Sequence, residues 1–321
     1  HLIRDLAAQG TGIVFISHYL SEVFEVCDEI TVLRDGAVVL AEPTSATSLP
    51  EVVAAMIGRR LEAATRRTES TRSAEPLLEV RGLSVRNGPR DASFTLHKGE
   101  ILGITGLTGS GLTELAKAIF ASPDTRRDAG SVRLDGRELS LRDPSDALAA
   151  GIVLLTNDRL REGVLPDFTI QENVVLPVLD RFTGTLGRLD LSAIGAVARE
   201  AIGRLRVRAP GPQTPVRSLS GGNQQKVLFA KWLGTRPRVF IMDEPTIGID
   251  VGSKAEIREL VRAIAADGVG VILITAEIDE LTTLCDRVLV MFRGRLVAEL
   301  ENEAIERGAI LHASVSGRLA A

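Results

Sequence analysis

The sequence predicts an α/β fold in which a mostly parallel core sheet is flanked by helices and carries a small antiparallel β subdomain and a helical subdomain. Three observations predict it. Strand-length apolar runs, Glu100 to Thr105, Val239 to Met242 and Val271 to Ile274, suit strands buried on both faces of a parallel sheet. Helix-period stretches lie between such runs, as in Val227, Leu228, Ala230 and Leu233. Alternating segments, LLEVRGLSV and DASFTL from Leu77 onward, suggest a smaller antiparallel sheet.

At 321 residues, 45% hydrophobic with net charge -4, the chain exceeds one average domain and has the composition of a globular protein. It is neither nucleic-acid-like nor disordered in composition. No apolar run approaches the roughly eighteen residues needed to span a bilayer, so a membrane role would be by docking. Two cysteines suggest no disulfide framework.

The chain begins at His1 inside an amphipathic pattern (Leu2, Ile3, Leu6) that lacks an N-cap, which reads as a truncated start. An internal repeat agrees. LIRDLAAQGTGIVFISHYLSEVFEVCDEITVLRDGAVV lines up without gaps on LVRAIAADGVGVILITAEIDELTTLCDRVLVMFRGRLV, pairing Leu2 with Leu260, Ile16 with Ile274, Glu22 with Glu280 and Asp28 with Asp286. Cys27 and Cys285 occupy equivalent places, which favours small buried hydrophobes over a bridge. Residues 1–60 therefore read as the tail of a first module and 61–76 as a charged, polar linker without apolar period. Residues 77–302 read as a second, complete module and 303–321 as a C-terminal tail.

Within the second module, the Glu100–Thr105 strand leads into Gly106-Leu107-Thr108-Gly109-Ser110-Gly111-Leu112-Thr113 and a helix. Gly106, Gly109 and Gly111 can form a nest of backbone N–H groups at the helix N-terminus, the usual cradle for phosphate. The pattern G-x-x-x-x-G-K-[ST] is met except that Leu112 stands at the lysine position, while Thr113 still offers a hydroxyl to magnesium. Losing the lysine removes a charge-assisted contact worth roughly 1.5–3 kcal/mol, felt most where phosphate charge shifts. Taken alone, the same residues also make a plain strand-to-helix turn. Asn157-Asp158-Arg159 follows a further strand, with Glu162-Gly163 shortly after, and a solvated loop explains these charges equally well in isolation.

From Leu165 to Val216 the periodicity is helical, and the helical subdomain spans about 165–235. Thr169 and Glu172 have capping-box spacing, and Asp190 starts a helix with Ile194, Val197, Ile202 and Leu205 on one face. Ser220-Gly221-Gly222-Asn223 then opens a helix whose two glycines let N–H groups approach an anion, although Ser-Gly-Gly is also an ordinary turn. After the Gly234–Pro237 break, the strand Val239 to Met242 ends in Asp243 and Glu244. Both acids fall at a strand's C-terminal end, where open α/β sheets place their ligands, and Asp-Glu there suits a metal–nucleotide site. Beyond Asp250, Ser253 and Glu256 repeat the capping-box spacing.

The order of an LSGG-type turn, a helix, an apolar strand, Asp-Glu-Pro-Thr and Gly-Ile-Asp resembles the ABC-type ATPases, and the resemblance covers nearly the whole chain. Leu112, the extended LSGGNQQK and the Asp158-Arg159, Glu162-Gly163 pattern are similar to the second module of two-module importers of the ribose/galactose/xylose type. The resemblance implies a P-loop NTPase fold with ATP and Mg2+ as cofactors. It implies Thr113 and Asp243 as metal ligands, Glu244 as general base, and nucleotide contacts from residues 106–113, Asn157, Ser220, Gly221, Gly222, Asn223 and Asp250. A histidine that contacts the γ-phosphate is implied after the strand, which is His18 in the first copy and is replaced by Ala276 in the second. Near Arg86 to Asp91 the family places an aromatic that stacks on adenine, and RNGPRD offers none.

Two such modules face head to tail, so Ser220, Gly221, Gly222 and His18 would surround the ATP held by the first module, and the site on the Leu112 loop should be slow. The implied function is the ATP-binding subunit of a bacterial importer, peripheral on the cytoplasmic face of the plasma membrane. It would couple ATP binding and hydrolysis to monosaccharide uptake through integral-membrane permease subunits and a sugar-binding protein. A second copy of the ATPase is compatible with this, and no nucleic acid is expected. The alternatives are a nucleoside or other small-solute importer, and a non-transport ABC ATPase, for which basic tails or coiled-coil heptads would be expected and are not seen. A catalytically silent regulatory module is the third, favoured by Leu112 and Ala276.

Overall fold

The computed structural model describes residues 2–17, 20–34, 36–57, 70–184 and 187–319, and contacts divide the chain into two compact units, 1–65 with 249–256 and 66–248 with 257–321. In the first unit, α1 (Leu2–Ala8) and α2 (Leu20–Val26) precede an antiparallel hairpin of β1 (Glu29–Arg34) and β2 (Ala37–Pro43), against which α3 (Leu49–Ile57) packs. Val23, Ile30, Val32 and Val52 form its small core, with Phe15, Phe24 and Cys27 alongside.

Ile13 to Ile16, a strand by sequence, forms none, and Val14 and Ile16 are 91% and 94% exposed. The equivalent run Val271 to Ile274 is paired on both sides by neighbouring strands, whereas no strand flanks Ile13 to Ile16 among the described residues. An apolar run becomes a parallel strand only when neighbours take up its backbone hydrogen bonds.

The second unit holds two sheets. β3 (Pro76–Val85), β4 (Ala92–His97), β6 (Arg127–Leu134) and β7 (Arg137–Glu138) form an antiparallel sheet in the order β4-β3-β6-β7. The first two strands are those expected; the second pair is joined by Asp135-Gly136, both at positive φ (47 and 73), the two-residue turn that matches strand twist. β5 (Ile101–Gly106), β8 (Ile152–Leu155), β9 (Val239–Asp243), β10 (Gly270–Ile274), β11 (Arg287–Phe292) and β12 (Arg295–Glu301) form the core sheet in the order β12-β11-β5-β10-β9-β8, parallel except for β12. Helices α4 (Leu112–Phe120), α5 (Pro144–Ala149), α10 (Ile278–Leu284) and α11 (Arg307–Ser316) belong to this unit, as does α9 (Val251–Ala266) from Ile257 on. Leu115 and Ile119 of α4 are buried in one apolar cluster with Ile104, Ile241 and Ile272 of the sheet.

Between β8 and β9 lies the helical lobe, α6 (Ile170–Val175), α7 (Leu191–Arg204) and α8 (Gly221–Leu233). The Thr169 capping box forms, with Glu172 Oε2 accepting from Thr169 N at 2.7 Å, and Asp190 caps α7 by accepting from Ala193 N at 2.9 Å. Two local expectations change. α8 is enclosed rather than one-sided, because α6, α7 and the Arg159–Gly163 turn surround it and bury Gln224, Gln225, Lys226 and Lys231 with its apolar residues. α9 begins at Val251, and its cap is Asp250, not Ser253: Asp250 accepts from Ser253 N at 2.9 Å and from Ser253 Oγ at 2.7 Å.

The sequence repeat is also a structural one. α2 and α10, the hairpins β1–β2 and β11–β12, and α3 and α11 recur at the constant offset that pairs Leu2 with Leu260. Both hairpins carry their bulge at the equivalent step, Val32/Leu33 and Val290/Met291. The correspondence extends into LPEVVAAMI and RGAILHASVS, where residue identity has faded.

Candidate functional site

Strand register brings four loops to one edge of the core sheet. Ile274 pairs with both Ile104 and Asp243, and Leu155 with Met242, so the C-terminal ends of β5, β8, β9 and β10 are level. Gly106–Thr113 leaves β5, Thr156–Gly163 leaves β8, Asp243 and Glu244 close β9, and Thr275 and Ala276 follow β10.

The Gly106–Thr113 turn requires its glycines. A β-carbon on Gly106 would lie 2.3 Å from the Met291 carbonyl oxygen, and one on Gly111, at φ +100, would meet Gly88 and Pro89 backbone at 3.0 Å. Gly109 has open space but φ +82. Ser110 N donates to the Leu107 carbonyl at 3.0 Å, and Ser110 Oγ is buried without a partner. An orphan hydroxyl of this kind costs about 1–3 kcal/mol unless it is met. Together with the free amides at the start of α4, it fits a ligand rich in acceptor oxygens, such as phosphate. Leu107, Thr108 and Gly109 form the exposed rim. Leu112 is half-buried against the apolar cluster, so it supplies packing and no charge.

Thr113 Oγ1 donates to Asp243 Oδ2 at 2.9 Å, and burial pushes the Asp243 carboxyl up to about 6 against the opposing pull of that hydroxyl. A hydroxyl and a carboxylate side by side suit a hard, oxygen-loving cation such as Mg2+. Glu244, at φ +49, accepts from Ala276 N at 2.8 Å and from Thr275 Oγ1 at 3.4 Å. Burial, opposed by the Ala276 N–H and reinforced by the Asp243 charge, raises its carboxyl to about 7, the range of a useful general base. Behind it, Glu280 accepts from Thr246 Oγ1 at 2.7 Å and lies 3.5 Å from Arg258 Nε, pinning the Asp-Glu-Pro-Thr turn. Sequence reasoning saw Glu280 only as a repeat match; the repeat was the signal, and its role needed the fold.

The other predicted residues are dispersed. Asn157 is exposed, with no side-chain hydrogen bond among the described residues. Ser220 heads α8, exposed, with its Oγ accepting from Asn223 Nδ2 at 2.8 Å, while Asn223 Oδ1 accepts from Arg208 N at 2.8 Å. No side chain caps the helix. Gly221 lies against Arg159 and Gly248 rather than the phosphate turn: a β-carbon there would be 2.8 Å from Arg159 Nη2. Gly222 is buried in the same first turn. Asp250 is engaged with Ser253 as a cap. His18 lies outside the described residues. Where an aromatic was missing, Gly88 and Pro89 close on Gly111, beside a hollow lined by Val85, Arg86, Glu114 and Arg126.

Residues 89–247 match the ABC transporter family. The ribose import ATP-binding protein RbsA of Burkholderia mallei is 44% identical over 312 residues, covering 97% of this chain and 61% of that protein. RbsA 2 of Streptomyces avermitilis is 42% identical over 321 residues, covering 100% of this chain and 62% of that protein. A putative ribose/galactose/methyl galactoside import ATP-binding protein 2 of Burkholderia cenocepacia is 42% identical over 299 residues, 93% of this chain and 58% of that protein. The chain thus spans about three-fifths of the length of these relatives. Among solved structures, an ABC transporter's ATP-binding cassette in its ADP conformation has a TM-score of 0.63 at 22% identity, covering 75% of this chain and 97% of that one. A dimeric post-hydrolysis cassette bound to ADP and Pi has a TM-score of 0.60 at 20% identity, covering 70% and 98%. The fold is that of a P-loop NTPase cassette. Among the described residues no helix is long and apolar enough to cross a membrane.

Proposed function

We propose, from the match of residues 89–247 to the ABC transporter family, that this chain is part of a two-module ATP-binding subunit of a bacterial importer. The subunit couples ATP binding and hydrolysis to monosaccharide uptake, working at the cytoplasmic face of the plasma membrane with integral-membrane permease subunits and a sugar-binding protein. No nucleic acid takes part. Residues 1–60 are the tail of the first module, 61–76 the linker, 77–302 the second module and 303–321 its tail. Support for the sugar comes from relatives whose names give ribose or galactose import.

The observation that carries the site is the glycine cradle with an orphan Ser110 hydroxyl, set beside the Thr113–Asp243 pair. Residues 106–113 bind phosphate oxygens through backbone amides, and Thr113 with ionised Asp243 holds Mg2+, which neutralises phosphate charge when bound. Glu244 is placed to take a proton from water at its carboxylate. Leu112 brings no cation and Ala276 no imidazole, so nucleotide held here turns over slowly. The amides of Ser220 to Asn223, with His18, serve the nucleotide of the first module, and Asn157 and Asp250 are nucleotide contacts.

The test is steady-state ATPase of the complete two-module protein reconstituted with its permease. Ser220→Arg should abolish most turnover while Glu244→Gln leaves most of it. Comparable losses would overturn the asymmetric assignment.

A further inference from the structure

We infer that the groove between the start of β6 and residues 138–142 is a second small-molecule site, built for a soluble phosphate monoester that carries hydroxyl groups, as a sugar phosphate does. It stands apart from the nucleotide site and does not depend on the functional reading above.

The walls of the groove are distant in sequence and are tied together by the fold. Residues 125–131 form one side and residues 138–142 the other. Arg127 Nη2 donates across to the Leu141 carbonyl at 2.6 Å, and Leu139 N donates to the Val132 carbonyl at 2.9 Å. The hollow between the walls is about 1030 Å³. Ala121, which closes α4, lines it and lies eight residues beyond Thr113, about 12 Å along the helix. A phosphate held in the groove is therefore not one held by the Gly106–Thr113 cradle.

Arg127 supplies the case for an anion. It is half-buried, and that burial holds its guanidinium below the usual arginine range. Its side chain makes one hydrogen bond among the described residues, to the neutral Leu141 carbonyl. Arginines that serve the fold are matched by carboxylates, Arg287 by Glu100 at 2.9 Å and Arg258 by Glu280 at 3.5 Å. Neither Arg127 nor Arg126 beside it has a carboxylate within ion-pair distance among the described residues. A desolvated cation without a counter-charge is costly, and an anion in the groove relieves that cost. A guanidinium fork is also the group that holds phosphate in two parallel hydrogen bonds. Arg142 adds a third cation on the opposite wall, with its Nε 3.4 Å from Asp146 Oδ2.

The other polar groups fit hydroxyls. Ser122, Ser131 and Ser140 line the groove with side chains that make no hydrogen bond among the described residues. Asp128 and Glu138 also line it, exposed and without an ion-pair partner among the described residues. Carboxylates accept hydrogen bonds from sugar hydroxyls and repel a bare phosphate. Three guanidiniums, three hydroxyls and two carboxylates thus match one anionic group joined to a polyol. None of the exposed large hydrophobic side chains lines the groove, so it lacks the apolar rim with which a protein meets a lipid surface.

Isothermal titration calorimetry of the full chain tests the site, with glucose 6-phosphate, ribose 5-phosphate, inorganic phosphate and glucose as probes, each with and without excess Mg-ATP. At least one sugar phosphate should bind with Kd below about 1 mM, inorganic phosphate about tenfold or more weaker, and glucose with no measurable heat. Arg127→Gln should weaken the sugar phosphate about tenfold or more, and Arg127→Lys, which keeps the charge without the fork, about threefold to fivefold. Arg137→Gln, on β7 but outside the groove, should change nothing. Thermal melting accompanies each variant; if Arg127→Gln does not fold, Arg126→Gln replaces it, with a loss of about threefold expected. Failure of both sugar phosphates to bind, or unchanged affinity in the folded arginine variant, overturns the site. Inorganic phosphate binding as tightly as the esters overturns the sugar as ligand. Displacement of the ester by Mg-ATP overturns the separation from the nucleotide site.

Discussion

Thr113 Oγ1 and Asp243 Oδ2 stand 2.9 Å apart, joining the first turn of α4 to the last residue of β9 across the sheet edge. Asp243 is 2% exposed, and its carboxyl is raised by burial from 3.8 to about 6. The native state therefore holds the proton more tightly than the unfolded chain does. The stabilising contribution of this group is fully present below about pH 4 and is lost as the pH climbs through about 6. Asp243→Asn, neutral and of the same shape, should raise stability at pH 8 by about 2–3 kcal/mol and leave it nearly unchanged at pH 4. Denaturant unfolding at the two pH values checks this. An equal effect at both would show that charge burial is not the cause.

Leu112 lies against the apolar cluster in the place of a phosphate-binding lysine. Leu112→Lys should therefore have two opposed effects, a loss of about 1–2 kcal/mol in stability from lost packing and a gain of about tenfold in affinity for Mg-ATP. Leu112→Ala serves as the control and should show the first effect without the second. Titration calorimetry that finds no gain in affinity would count against Gly106–Thr113 as a phosphate cradle.

Gly106 and Gly109 are required for different reasons, and the two costs should differ. Gly109→Ala meets no neighbour and suffers only its φ of +82, about 1–2 kcal/mol. Gly106→Ala places a methyl group 2.3 Å from the Met291 carbonyl oxygen, forcing β5 and β11 apart at their paired ends, and should cost about 3 kcal/mol. Urea unfolding of the two variants distinguishes them. A smaller loss for Gly106→Ala would mean that the strand ends yield easily.

In the complete two-module protein, Ser220→Arg or His18→Ala should cut ATP turnover by about a hundredfold or more, the usual cost of losing a donor aimed at developing charge. Glu244→Gln should cost far less despite the raised carboxyl at about 7, because that base faces the loop without a lysine. Steady-state rates decide. Equal damage from Glu244→Gln would place hydrolysis at the leucine-bearing site.

Charge reversals on the exposed surface of residues 165–216 should lower transport while basal ATPase stays nearly constant, since surface changes away from a contact seldom cost stability. Transport and ATPase assayed on the same vesicles test this. Parallel loss of both would make the lobe a structural element.

Much of this molecule is legible from local chemistry. Buried parallel strands announce themselves as unbroken apolar runs, a tight strand-to-helix turn as spaced glycines, and an acidic sheet edge as Asp243-Glu244 at a strand end, because those constraints act on adjacent residues. The Asp135-Gly136 hairpin went unread, although Asp-Gly is the local signal of a turn that demands positive φ twice. The repeat fixed the equivalence of Cys27 and Cys285 and of the two hairpins.

What tertiary structure alone decided depends on partners distant in sequence. Ile13 to Ile16 and Val271 to Ile274 have the same strand signal, yet only the second pairs, because pairing belongs to the neighbours and not to the run itself. α8 carries an amphipathic stripe but is enclosed on every side by elements contributed from elsewhere. Glu162 and Arg159 read as solvated charges until the fold sets Lys117 at 2.8 Å from one and Gln224 at 3.3 Å from the other. Local pattern specifies which backbone conformation is cheap; only the packed chain specifies which charges meet, since long-range contacts leave no period in the sequence.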